Sequence, residues 1–272
     1  MGSGLRFSEN LRYLEEAMPD QLAHYLFARR VWAAAGELKP RIDPASPAFR
    51  AGSFGPDPLF NDFSSERRSQ GFGMHRRPGR EALEKLREPL KQNLPGAADY
   101  AAGFFTHYAL DRLCHPDLKA MDARGEAKHV PTETAYDRAL YLRGGCRLPR
   151  HIILSESACR IAAGMYEGVS ARQFRLDLAA YWKLRRMLIL GGGTKIADIA
   201  DRLNPAWKGI VPSGTPSEGT LRGIKMLDGL LDAGVPIAAV QLERFFHAVE
   251  NDLPLDGWTD FNFAGSEVSK NE

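Results

Sequence analysis

Residues 103–133 read GFFTHYALDRLCHPDLKAMDARGEAKHVPTE. Five side chains in this stretch are divalent-metal ligands by type: His107, Asp111, His115, His129 and Glu133. His107 and Asp111 are four residues apart, which on a helix puts them on one face, one turn above the other. His115 continues that face a turn later. His129 and Glu133 repeat the four-residue spacing fourteen residues beyond His115. Two such pairs on neighbouring segments could hold more than one metal ion. The remaining faces carry Tyr100, Phe104, Phe105, Tyr108, Leu110 and Leu113, so this helix is expected to be central and buried. A buried His–Asp pair needs something to neutralise it. A metal ion does so, and for this pair alone an ordinary hydrogen bond would serve as well. Pro116 makes His115 the expected end of the helix.

Towards the N-terminus, residues 18–36 carry the apolar spacing of a buried helix, with Pro19 and Asp20 suited to its first turn and Gly36 to its end. His24 lies inside it. A short charged helix is expected over 8–17, in an N-terminal extension of residues 1–17. Residues 40–80 are rich in Gly and Pro and read as one long loop whose aromatics argue for order. In GPDP, two prolines hold Asp57 in a rigid turn that aims its carboxylate. GFGMH delivers His75 after a flexible glycine pair. Phe54, Phe60, Phe63 and Phe72 could seat an apolar or ring-bearing group. The stretch from Arg67 to Arg80 holds five arginines and no acidic residue, with Arg76 and Arg77 beside His75. It reads either as a solvated surface or as an anion-attracting rim.

Downstream, helices are expected over 81–93, 155–168 and 171–190, and over 217–250 with a break near Gly234–Pro236. Leu176, Leu178, Tyr181, Trp182, Leu184, Met187 and Leu188 read as packing surface. GGGTK at 191–195 lacks the spacing of a phosphate loop and reads as a linker. His151 and His247 have no partner at metal-site spacing and read as structural. The aromatic segment LPLDGWTDFNFAG is expected to dock on the body, ahead of a polar tail at 266–272. Strand-like alternation does not recur. The expected architecture is all-α, a single helical domain over 18–265.

Composition narrows the function. A net charge of +2 over 272 residues argues against nucleic acid or an acidic membrane as a stable bulk partner. No apolar run is long enough to span a bilayer, and the N-terminus lacks a secretory signal. Three cysteines without a CxxC read as reduced thiols, so the expected setting is cytoplasmic.

Taken in order, His24 in AHYLFA, Asp57 in GPD, His75, and the series His107, Asp111, His115, His129 and Glu133 resemble the zinc-dependent phospholipase C family. That family shares its fold with the fungal single-strand nucleases and 3′-nucleotidases. The resemblance covers about residues 18–143 and implies an all-helical bundle of that type. It implies one zinc ion on His75, His107 and Asp111, and a second on His115, His129 and Glu133. A third would be held with the help of His24 and a bridging Asp111. Asp57 would bind or orient the bridging water and act as general base. In the secreted members the third ion also uses an N-terminal Trp, and no Trp precedes Trp32 here, so two zinc ions are expected with the third site departing from the family.

A donor set of imidazoles and carboxylates suits zinc independently of any resemblance. Paired ions can clamp phosphoryl oxygens and acidify water. The expected activity is hydrolysis of a phosphodiester, with a phospholipid or lipid-like phosphate ester as substrate. A nuclease or nucleotidase on the same fold, a member repurposed to a peptide or small metabolite, and a non-catalytic metal-stabilised module remain open at this point.

Overall fold

A computed structural model describes residues 21–61, 64–144, 148–191 and 215–267. The expected helix at 8–17, Phe63, Cys146, the linker residues 192–195 and the tail from 268 onward lie outside the described residues. The order of helices is α1 (Gln21–Ala34), α2 (Pro47–Gly52), α3 (Ser65–Arg76), α4 (Gly79–Glu84), α5 (Arg87–Lys91), α6 (Ala97–Ala123), α7 (His129–Leu142), α8 (Glu156–Ala163), α9 (Ala171–Gly191) and α10 (Glu218–Glu250). Short 3-10 turns occupy Gly36–Arg41, Asp57–Asn61 and Gly257–Asp260. Among the described residues there is no strand, only two isolated bridges, Pro78 to Asn262 and Phe261 to Glu267. The all-α expectation therefore holds.

Helix α6 is the axis. Gly96, at φ +84°, supplies the left-handed turn that starts it. From Ala101 to Asp111 every residue is buried, and α1, α2 and α10 pack on it. The helix passes through Pro116 to Ala123, two turns beyond the expected end at His115. Leu118 and Met121, beyond the proline, are buried as well. Apolar burial on both sides of a proline outweighs its one lost hydrogen bond. The same holds in α10, which runs unbroken through Pro236, with Leu227 and Leu231 buried before it and Ala238, Ala239 and Leu242 after. The expected break there is corrected.

The 40–80 stretch is not one loop. Ser46 caps α2, accepting from the Phe49 N–H at 3.0 Å, and Ser64 caps α3 through the Arg67 N–H. Of the two glycines that mask α3 as a helix in sequence, Gly71 sits where space is tight, whereas a Cβ on Gly73 would meet nothing within 4 Å. A Cβ on Gly71 would lie 3.2 Å from the Phe60 ring. Conversely, the helix expected over 81–93 divides into α4 and α5. Pro89 has no N–H to offer the Lys85 carbonyl four residues back. On α9, Tyr181, Trp182, Leu178 and Leu188 are buried as expected, whereas Leu176 and Met187 are exposed.

Helix α2 crosses α6 at a glycine–glycine contact. A Cβ on Gly103 would lie 2.2 Å from the Phe49 carbonyl oxygen, and one on Gly52 would lie 2.2 Å from that of Tyr100. Backbone cannot yield as a side chain can. Gly103→Ala is therefore expected to lower the unfolding free energy by on the order of 3 kcal/mol in urea denaturation. The comparison is Gly229→Ala in α10, where a Cβ meets nothing within 4 Å. That change is expected to be neutral or to stabilise by ~0.5–1 kcal/mol.

The C-terminal segment docks on α6 as expected. Tyr108 donates to the carbonyls of Trp258 and Phe261, each at 3.0 Å. Trp258 stacks on Phe105, and the Arg112 guanidinium lies between the Trp258 and Phe261 rings at 4.1 and 4.3 Å. Gly265, at φ +74°, approaches Pro116 and the Arg112 carbonyl too closely for any Cβ. Phe263 is fully buried.

Candidate metal centre

Five elements bring the eight expected ligands together. Helix α1 supplies His24, the turn Asp57–Asn61 supplies Asp57, and α3 supplies His75 near its end. Helix α6 supplies His107, Asp111 and His115, and α7 supplies His129 and Glu133 in its first two turns. Asp111 is the hub. Its Oδ1 lies 3.2 Å from His24 Nε2 and 3.7 Å from His115 Nε2. Its Oδ2 lies 3.2 Å from His107 Nε2 and 3.4 Å from His75 Nε2. Asp57 Oδ1 stands 3.3 Å from His75 Nε2 and 3.8 Å from His107 Nε2. On the far side, Glu133 Oε1 is 2.9 Å from His129 Nε2 and 3.6 Å from His115 Nε2.

Three groups have ligand atoms close enough to share an ion: His24, His107 and Asp111; Asp57, His75 and His107; and His115, His129 and Glu133. The third is the set implied by the resemblance. The first two distribute His107 and Asp111 differently, because Asp57 faces the His75–His107 pair directly while Asp111 reaches across to His24.

These residues fit a metal on their own chemistry. Both ring nitrogens of His107, Nδ1 of His24, Oδ1 of Asp57, Oδ2 of Asp111 and Oε2 of Glu133 are buried without a hydrogen-bond partner. Orphaned polar atoms at this density are costly in a protein interior. His107 Nε2 and Asp111 Oδ2 are 3.2 Å apart yet do not hydrogen-bond, the disposition of lone pairs aimed at a common point. Two imidazoles are oriented from behind. His75 Nδ1 contacts the Gly71 carbonyl at 2.9 Å and His115 Nδ1 the Phe263 carbonyl at 3.1 Å, which turns both Nε2 atoms towards the carboxylates. Gly55, at φ +52°, lies so close that a Cβ there would sit 2.1 Å from the His107 ring.

Burial and the His107 charge hold His24 below the usual histidine range. Burial and Lys119 push His129 down to about 4. Burial opposes protonation of His75 too, but the neighbouring Asp111 and Asp57 carboxylates lift it to about 10. Asp111 is held well below the carboxylate range, burial notwithstanding, by His107 and His115. Burial pushes Glu133 up to about 7 against the pull of His115.

These shifts fix the sign of a pH effect. In metal-free protein Glu133 keeps a proton that the unfolded chain, at its ordinary 4.5, releases. Stability is then lost as pH rises from 4.5 through about 7. His75 contributes stability that is full below 6.5 and lost as pH rises through about 10. Bound zinc favours the deprotonated form of both. The gap in Tm between zinc-loaded and chelator-stripped protein is expected to widen from about pH 5 to about pH 8. A gap that stays constant in thermal melts would show that these groups do not exchange protons for metal.

The residues expected to contact substrate divide. Arg76 and Arg77 are exposed just after His75, with Arg77 Nη1 3.9 Å from Glu81. Phe54, Phe60 and Phe72 are buried, so their reading as an open seat for substrate is corrected. Phe54 stacks on Trp182, and Phe60 stacks on Phe72 and packs 5.1 Å from the His75 ring. They form the wall behind His75 and the Asp57 turn. His151 and His247 are exposed and belong to none of the three ligand groups.

Three contributors escaped sequence reasoning. Tyr181, expected only to pack, donates its hydroxyl to Asp57 Oδ2 at 3.0 Å. Asp137 accepts the N–H groups of Leu22 and Ala23 at 3.0 and 2.8 Å, pinning the start of α1 beside His24. Phe263 gives a backbone carbonyl, which no side-chain motif can announce. The spacing of Asp137, four residues after Glu133 on one helix face, was the one available signal.

The helical fold and its buried imidazole–carboxylate cluster define an all-helical protein with a candidate metal centre built around Asp111. The sequence model of zinc dependent phospholipase C matches residues 23–178, more than half of the chain, and the chain belongs to that family. The match contains all eight candidate ligands, and it carries with it zinc dependence and the character of a phospholipase C-like hydrolase. No curated protein and no solved structure matches the chain. Among the described residues no helix is long and apolar enough to cross a membrane.

Proposed function

We propose that this centre hydrolyses a phosphodiester, with a phospholipid or lipid-like phosphate ester as substrate. The observation that carries the reading is the convergence on Asp111 of imidazoles from α1, α3 and α6, with buried donor atoms left unpartnered. His24, His75, His107 and Asp111 on one side, and His115, His129 and Glu133 on the other, are the residues that would hold zinc, with Asp57 beside the His75–His107 pair. When bound, zinc supplies Lewis acidity at the phosphoryl oxygens and lowers the pKa of water. Asp57 Oδ1 is the proton acceptor for the attacking water, since its other oxygen is occupied by Tyr181. The Phe263 and Gly71 carbonyls keep the Nε2 atoms of His115 and His75 on the inner side. Arg76 and Arg77 attract the anionic ester to the edge beside His75.

The test is zinc content per chain on protein purified without chelator, paired with turnover of bis-p-nitrophenyl phosphate. Zinc together with chelator-sensitive turnover supports the reading, and protein without zinc overturns it. Phosphatidylcholine vesicles set against single-stranded DNA then decide the ester. Faster cleavage of DNA would replace the lipid reading with that of a nuclease.

A further inference from the structure

Asp57 has two oxygens with different surroundings. Oδ1 is buried, makes no hydrogen bond, and faces the Nε2 atoms of His75 and His107 at 3.3 and 3.8 Å. Oδ2 accepts the Tyr181 hydroxyl at 3.0 Å. The Tyr181 oxygen accepts in turn from Gln21 Nε2. The donor directions in this chain run one way. An amide NH2 can only donate, a phenol near neutral pH carries one proton, and an ionised carboxylate can only accept. Gln21 therefore commits the Tyr181 proton to Asp57.

The three residues come from distant segments, the start of α1, the 3-10 turn and the middle of α9. Helix α9 packs against the turn Asp57–Asn61. Phe54, just before that turn, meets Tyr181 edge-on at 6.0 Å and stacks on Trp182 at 5.7 Å. The Tyr181 hydroxyl is thus held where it stops rotation of the Asp57 carboxylate. Gln21 and Tyr181 both lie outside the 23–178 span of the family match, so this support is supplied by other parts of the chain.

We propose that Tyr181, backed by Gln21, is a positioning residue that ties down Oδ2 of Asp57 and so presents Oδ1 alone to the reacting water. The inference rests on the reading of Asp57 as proton acceptor in a phosphodiesterase. Its consequence is kinetic. Without the tether the carboxylate samples orientations that do not face the water, so kcat falls while ligand binding by His75 and His107 persists.

The experiment compares wild type, Tyr181→Phe, Gln21→Ala and Val249→Ala on bis-p-nitrophenyl phosphate, with turnover expressed per zinc-loaded protein. Loss of one hydrogen bond to a charged group predicts a kcat lower by ~10–100-fold in Tyr181→Phe, with KM within about twofold and zinc content unchanged. Gln21→Ala is expected to lower kcat in the same direction by about threefold to tenfold, since the phenol keeps its proton but loses its fixed direction. Val249→Ala removes buried packing in α10, which supplies none of the residues around Asp57, and is expected to lower Tm with kcat unchanged. A wild-type kcat in Tyr181→Phe, or a loss that only tracks lost zinc, overturns the proposal while leaving the phosphodiesterase reading intact. Should Tyr181→Phe not fold, Gln21→Ala decides alone: reduced kcat at full zinc supports the tether, and wild-type kcat overturns it. Wild type without zinc or turnover is the separate failure, that of the parent reading, and it overturns both.

Discussion

Asp111→Asn is expected to strip zinc from the centre and to reduce phosphodiester turnover by ~10³-fold or more, the equivalent of several kcal/mol of lost charge stabilisation. The substitution keeps size and removes charge. Asp111 is the carboxylate that four imidazoles share, with both oxygens between 3.2 and 3.7 Å from their Nε2 atoms. An amide offers one neutral acceptor where the carboxylate offers two charged ones, and its NH2 would point at an imidazole or an ion. Zinc measured per chain and turnover should fall together. Full zinc with wild-type turnover would reduce Asp111 to a buried ion-pair partner of its histidines.

Asp57→Asn is expected to act differently. Turnover should fall by ~10²–10⁴-fold, the usual contribution of a positioned proton acceptor, while zinc content stays near that of wild type. An asparagine can still accept the Tyr181 hydroxyl through its carbonyl oxygen, which leaves its NH2 facing His75 and His107 and unable to take a proton. His75 and His107 keep Asp111 as a shared neighbour. If Asp57→Asn turns over normally at full zinc, the proton acceptor lies elsewhere. If zinc is lost along with turnover, Asp57 serves as a ligand in its group with His75 and His107.

The set of candidate ligand residues was legible because the chemistry repeats at helical spacing. His107, Asp111 and His115, then His129 and Glu133, advertise a face by their four-residue steps, and the structure places these faces against each other. His24, Asp57 and His75 carry no such mutual spacing and were recognisable only as members of an ordered set. The boundaries of elements were less legible. Pro116 and Pro236 read as stops, yet both helices continue, because a local rule of about 3 kcal/mol competes with burial of apolar residues on both sides. Helix α3 was hidden by Gly71 and Gly73 and by arginines without apolar period. Gly71 lies close to the Phe60 ring, a fact about three dimensions.

Phe54, Phe60 and Phe72 show the opposite failure. Aromatics in a Gly- and Pro-rich stretch look available for a ligand, but ring stacking against Trp182 and within the Phe60–Phe72 pair buries them. Tyr181 read as packing and turned out to hold a carboxylate of the site.

By itself, the amino-acid sequence determined the all-helical class and singled out the eight candidate metal-binding side chains, because helical period and donor type are properties of near neighbours. Tertiary structure alone decided which donor atoms lie close enough to share an ion, which oxygen of Asp57 remains free, and that Phe263 orients His115. Those relations join residues as far as 148 positions apart through close contacts, and no local pattern encodes a distance that the packing of whole helices sets.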